Sequence, residues 1–139
     1  MSSAPSTTSV AINGETDIVH VRQAAREAAV TAGFSLVQQT KLVTAASELA
    51  RNTLIYGGGG RAEIVIEESA FGDTVRLVFV DSGPGIPDID LALTDGYTTG
   101  SGLGLGLGGA RRLADQFHID SAPGKGTRIE LSITTRRKP

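Results

Sequence analysis

Between residues 99 and 110 the chain reads TGSGLGLGLGGA, with glycine at every second position from Gly100 to Gly108. Glycine gives up more conformational freedom on folding than any other residue, so such a run weakens any helix or strand that holds it. A fold that keeps it needs the backbone itself there. Leu103, Leu105 and Leu107 interleave the glycines and the segment runs straight into a helical pattern, which argues against a flexible linker. Two readings remain: a packing device, or a wall of close-approaching amides at a helix start, which is a ready site for an anion such as phosphate.

The familiar phosphate-binding loops do not fit. Gly104, Gly106 and Gly109 match G-x-G-x-x-G, and Asp120 follows near the end of a plausible strand. That fingerprint needs a strand leading into its first glycine, whereas Gly96 to Ser101 reads as loop. A Walker loop fails as well: the Gly124-Lys125 pair is followed by Gly126, and Ile119 stands where its first glycine belongs. The H-R-D and D-F-G triplets of ordinary protein kinases are absent.

A chain of 139 residues fits one domain that buries roughly two-thirds of its unfolded surface. Its net charge of -2 gives no basic field for a nucleic acid. The absence of cysteine excludes disulfides and thiolate metal sites and agrees with a reducing compartment. No apolar run nears the ~18 residues of a membrane span, and MSSAPSTTS lacks the basic and apolar parts of a signal peptide, so the expectation is a cytoplasmic protein.

Residues 1–9 offer little apolar surface and read as a disordered tail, followed by a single domain over 10–135 and a short basic tail at 136–139. A short first strand is expected near Val10 to Ile12. With Thr16 and Asp17 as N-cap candidates, Ile18, Val21, Ala25, Ala28 and Ala32 predict a first helix that Gly33 stops. Ser35 with Gln38 forms a capping-box signature. It opens a second helix along Leu36, Leu42, Val43, Ala46, Leu49, Ala50 and Leu54, ending at the glycines from Gly57. AEIVIEES (62–69) and TVRLVFVD (74–81) predict a hairpin around Ala70, Phe71, Gly72 and Asp73. A helical stretch near Gly109 to Gln116 precedes FHIDS (117–121), the turn APGKG and TRIELSIT (127–134), a further strand, turn and strand. The expected architecture is an α/β (α+β) two-layer sandwich, with a mixed, mainly antiparallel sheet covered by helices on one face. Residues 82–101 fit no clear element and read as a lid or binding loop.

Glu48 and Asn52, four apart on the second helix, project from one face. Asp81 ends an apolar strand just before a Gly-Pro-Gly turn, and Gly124, Lys125, Gly126 and Thr127 join the last two strands. Taken singly, solvated polar residues and ordinary turns explain each of these. His20 and His118 read as a helix residue and a strand residue rather than as phosphoacceptors or metal ligands.

In their order along the chain, ELARN (48–52), DSGPG (81–85), GLGLGLG (102–108) and GKGT (124–127) resemble the N box and the three glycine boxes of the GHKL superfamily of ATP-binding domains. The resemblance implies an ATP-binding sandwich in which the glycine run closes over the triphosphate as a lid. It implies that Asn52 holds the Mg²⁺ that bridges the phosphates and that Glu48 is the general base. It further implies that Asp81 accepts a hydrogen bond from the adenine amine, with Thr127 beside that contact. Gly83, Gly85, Gly102, Gly104, Gly106, Gly108, Lys125 and Gly126 fall in the nucleotide-binding boxes, and Arg111 is a further phosphate candidate.

Histidine kinases usually carry Asn where Glu48 stands, and gyrase-type members add a second domain with a catalytic lysine. SELARNTLIYGGGG, DSGPGIPDIDLALTDGYTTG and GLGLGLGGARRLADQF look most like the remaining branch, the small bacterial switch kinases of the stressosome type. That likeness implies a serine/threonine kinase using ATP and Mg²⁺ that phosphorylates a STAS-domain antagonist, with a downstream phosphatase or other regulator as a further partner and no nucleic-acid or membrane partner. An anti-sigma factor or nucleotide-gated module that sequesters its partner, and a free-standing ATPase, need the same pocket. A base at residue 48 leans toward chemistry, because sequestration moves no proton.

Overall fold

In the computed structural model, residues 6–86, 89–93 and 106–136 are described. The elements run β1 (Ser6–Ile12), α1 (Glu15–Thr31), α2 (Leu36–Ile55), β2 (Gly60–Ser69), β3 (Gly72–Asp81), a single turn α3 (Ile89–Ala92), α4 (Gly106–Leu113), β4 (Gln116–Ser121) and β5 (Thr127–Arg136). The five strands form one sheet in the order β1-β2-β3-β5-β4.

Helix ends follow from local chemistry. Ser35 Oγ accepts from the Gln38 N–H at 3.2 Å while the Gln38 side chain accepts from the Ser35 N–H at 3.2 Å, which is the expected capping box at the start of α2. Gly33, at φ 79, ends α1: its N–H reaches the Val30 carbonyl and the Phe34 N–H the Ala29 carbonyl. The N-terminus of α1 differs from expectation. Gly14 is the cap, and Asp17 lies inside the first turn, its carboxylate accepting from the N–H groups of Asn13 at 2.8 Å and Gly14 at 3.2 Å. An acid three residues into a helix reaches back to these free donors without being the cap itself.

Every ladder among the described strands is antiparallel, where a mixed, mainly antiparallel sheet was expected. The chain leaves β3 and returns as β4 in the same direction, but β5 inserts between the two and pairs antiparallel with both. The stretch read as a tail supplies Ser6–Ser9 to β1, paired with Ile66 to Glu63 of β2. Backbone pairing along an edge strand needs no apolar side chain, so composition could not reveal it. The β2–β3 turn is tighter than expected, because Ser69 pairs with Gly72 and only Ala70 and Phe71 lie between the strands. α4 starts at Gly106, earlier than the pattern suggested.

Alternation along the strands separates two faces. Val75, Leu77 and Phe79 of β3, Ile129, Leu131 and Ile133 of β5, and Ala62 and Ile64 of β2 are buried against Ile18, Val21, Ala25 and Ala28 of α1 and Leu42, Val43, Ala46, Leu49 and Ala50 of α2. Leu36, expected in that stripe, instead stands exposed at the first turn of α2. The other sheet face carries charge, with Arg76 paired to Glu67 and to Glu130. His118 lies on that solvent side in β4 and His20 is exposed on α1, 3.4 Å from Asp17, the strand and helix positions expected of them.

Candidate functional site

The apolar inner face stops at one row. Gly60, Asp81, Thr127 and Ser121 are aligned across β2, β3, β5 and β4 by the sheet register. Aligned residues of antiparallel strands share a face, so Asp81 and Thr127 continue the line of Phe79 and Ile129 but replace hydrocarbon with oxygen. This is where the sandwich opens from core to rim.

Thr127 is buried and its hydroxyl is oriented. Ser121 Oγ donates to the Gly126 carbonyl at 3.0 Å and accepts from the Ile86 N–H at 2.9 Å. A hydroxyl has one proton, so in the 2.8 Å contact between Ser121 Oγ and Thr127 Oγ1 it is Thr127 that donates. The lone pairs of Thr127 stay available to the rim. Ser121 was not singled out from sequence, where it ends an ordinary strand.

Asp81 is fixed by backbone. Its Oδ1 accepts from the Gly83 N–H at 2.9 Å. A Cβ on Gly57 would fall on the Asp81 side chain, and one on Gly83 would come 2.8 Å from the Gly57 Cα. Gly85 and Gly126, at φ 81 and 74, press on the carbonyls of Ala122 and Asp81, and Gly60 presses on that of Val80. Side chains at these places would push apart the three segments that make the rim. Gly83, Gly85 and Gly126 were expected in the site; Gly57 and Gly60 were read only as a helix stop. The Gly124 N–H donates to the Pro84 carbonyl at 2.7 Å, tying the 122–126 turn to the loop after Asp81. Lys125 is exposed on that turn.

The last turns of α2 bring Glu48 and Asn52 to the same edge. The Asn52 carbonyl accepts from the N–H groups of Tyr56 at 2.9 Å and Gly57 at 3.2 Å, so the helix end leads from Asn52 to the glycine lying on Asp81. The Asn52 side-chain Nδ2 is buried and has no hydrogen-bond partner among the described residues. An unsatisfied buried amide is costly, and a carboxamide whose nitrogen has no partner loses no bond there by presenting its oxygen instead. Glu48, 14% exposed, lies 3.8 Å from the Arg51 guanidinium. Arg111 is exposed on α4, while Leu107, Gly108 and Ala110 are buried. Gly102, Gly104 and most of the expected lid lie outside the described residues.

A family profile described as histidine kinase-, DNA gyrase B- and HSP90-like ATPase matches residues 37–137, a span that contains every rim residue named above. The chain belongs to this ATPase family. Within the family it is similar to the serine/threonine-protein kinase RsbT of Bacillus subtilis, at 43% identity over 121 residues, 87% of this chain and 91% of RsbT. It is also similar to the anti-sigma F factor of Clostridium kluyveri, at 34% identity over 99 residues, 68% of this chain and 70% of that protein. Among solved structures, the RsbU and RsbW domains of Rv1364c from Mycobacterium tuberculosis match with a TM-score of 0.64 at 20% identity, covering 98% of this chain and 34% of that one. The mycobacterial sensor histidine kinase MprB matches with a TM-score of 0.56 at 18% identity over 96% of this chain and all of that one. These two likenesses carry the ATPase fold, and the resemblance drawn from the four motifs agrees with the family.

Proposed function

We propose that the chain is a serine/threonine protein kinase of a bacterial partner switch, which transfers the γ-phosphoryl group of ATP to a STAS-domain antagonist in the cytoplasm. The observation that carries the reading is a carboxylate one helical turn from the orphaned Asn52 amide, in a chain 43% identical to a serine/threonine kinase over nearly its whole length. No helix among the described residues is long and apolar enough to cross a membrane.

The roles follow from the donor chemistry. Asp81 accepts from the adenine amine, its orientation held by the Gly83 N–H. Thr127 offers its lone pairs beside it. The Asn52 carboxamide fits a magnesium ion: its nitrogen meets no partner among the described residues, so nothing there opposes turning its oxygen, the atom a hard cation takes, toward the ion. An ion held there would supply the charge that neutralises the phosphates. Glu48 accepts the proton of the incoming Ser or Thr hydroxyl as its oxygen bonds to the γ-phosphorus, and the bond from that phosphorus to the β–γ bridging oxygen breaks to release ADP. Catalysis rests mainly on positioning and charge. Lys125 and Arg111, both exposed, supply cations for the phosphates and their products. Gly106 and Gly108 stand in the first turn of α4, where backbone amides serve a phosphate.

The likeness to anti-sigma F factor favours a second reading, in which sequestration of a partner is the main output. Incubation with labelled Mg-ATP and a panel of STAS-domain proteins separates them. Label on a serine or threonine of the bound STAS protein supports the kinase; tight complexes that never acquire label support sequestration.

A further inference from the structure

Gly57 has no need of glycine's backbone freedom. Its φ is not among the positive values, unlike its neighbours Gly58 at 73 and Gly59 at 106. An L side chain is therefore conformationally allowed at 57, and the reason for its absence is spatial. A Cβ there would stand closer than 3.0 Å to three atoms of Asp81, namely Cγ, Oδ2 and Cβ. At Gly58, by contrast, a Cβ meets nothing within 4 Å. The bare backbone of Gly57 thus occupies one side of the Asp81 carboxylate while the Gly83 N–H, 2.9 Å from Oδ1, holds the other. The Gly57 N–H also donates to the Asn52 carbonyl at 3.2 Å, so the position of this one residue is tied to the end of α2.

We propose that Gly57 is a positioning residue for base selection: by leaving room for the Asp81 carboxylate it sets the orientation from which that group accepts a hydrogen bond, and so determines the preference for a purine bearing a 6-amino group. The inference rests on the reading of Asp81 as the adenine contact. A methyl group at 57 rotates or displaces the carboxylate, because Asp is too short to bend its far end away while its Cβ stays in place.

The test compares ATP with purine riboside triphosphate, which lacks only the 6-amino group, by calorimetry on the wild-type chain, Gly57→Ala and Gly14→Ala. Gly14 is a control for the substitution itself, since a Cβ there meets nothing and its φ of -161 is ordinary extended backbone. Wild type and Gly14→Ala are expected to prefer ATP by about tenfold or more, as a hydrogen bond to a charged group allows. In Gly57→Ala the preference should shrink to within about threefold, with affinity for the analogue nearly unchanged. An equal loss for both nucleotides, leaving the ratio as in wild type, overturns the inference and leaves Asp81 in its role. No preference in the wild type itself overturns the Asp81 reading, and the inference with it.

If Gly57→Ala unfolds too readily to titrate, thermal unfolding decides instead. Asp81→Gly removes all three colliding atoms, so the double variant should melt higher than Gly57→Ala alone. Simple additivity of the two single losses would contradict the proposed contact.

Discussion

Asp81 and Thr127 face each other across β3 and β5, each continuing a line of buried hydrocarbon made by Val75, Leu77 and Phe79 on one strand and Ile129, Leu131 and Ile133 on the other. The pair marks where the buried hydrocarbon ends and side-chain oxygen takes its place. Because the sheet register aligns them, the geometry of the rim depends on the same pairing that holds the sandwich together.

Replacing Asp81 by alanine removes the acceptor while leaving the strand's hydrogen bonds in place. ATP affinity should fall by about tenfold to over a hundredfold, the equivalent of a charged hydrogen bond of about 1.5 to 3 kcal/mol. Titration calorimetry reads this directly. Unchanged affinity would remove Asp81 from the site.

Ser121 is the hub that orients Thr127. Ser121→Ala strips the acceptor from the Ile86 N–H and from the Thr127 hydroxyl together. The half-buried setting puts the stability cost near the lower end for an unsatisfied donor, about 1 kcal/mol, visible as a reduced midpoint in denaturant. An unchanged midpoint would mean that the network contributes nothing to folding.

The carboxyl of Asp17 is held below its ordinary value of 3.8, first by the Asn13 N–H and then by the Gly14 N–H and His20, with partial burial working against them. A depressed carboxylate stabilises the fold above its unfolded pKa, and that contribution fades as pH falls through the lower folded value. Asp17→Asn should therefore melt below wild type at neutral pH, and the gap should start to close as pH falls below about 4 and vanish below the lower folded value. Thermal melts at a series of pH values test this; a constant gap between the two proteins would contradict it.

Features that depend on near neighbours in sequence were legible. Ser35 with Gln38 opened α2, and Gly33 closed α1, because caps and stops act over three or four residues. The β1 edge was missed at Ser6 to Ser9 because its partners, Glu63 to Ile66, lie far along the chain and the pairing uses backbone alone. Asp81 and Thr127 were placed together by family resemblance, while Ser121, Gly57 and Gly60 acquire their meaning only when the register brings them to the same row or corner. The alternating glycines that first suggested a ligand wall become helix from Gly106 onward.

In the proposed kinase reaction Glu48 takes the proton of the incoming hydroxyl during phosphoryl transfer. The most direct measurement follows label from Mg-ATP to a STAS-domain partner for wild type and Glu48→Gln, with nucleotide affinity and complex formation determined on the same samples. Glutamine keeps the shape and loses the basicity, so transfer should drop by about 10² to 10⁴ while nucleotide affinity and partner binding persist. Transfer at the wild-type rate by Glu48→Gln, or a wild type that binds STAS partners and phosphorylates none of them, would contradict the account.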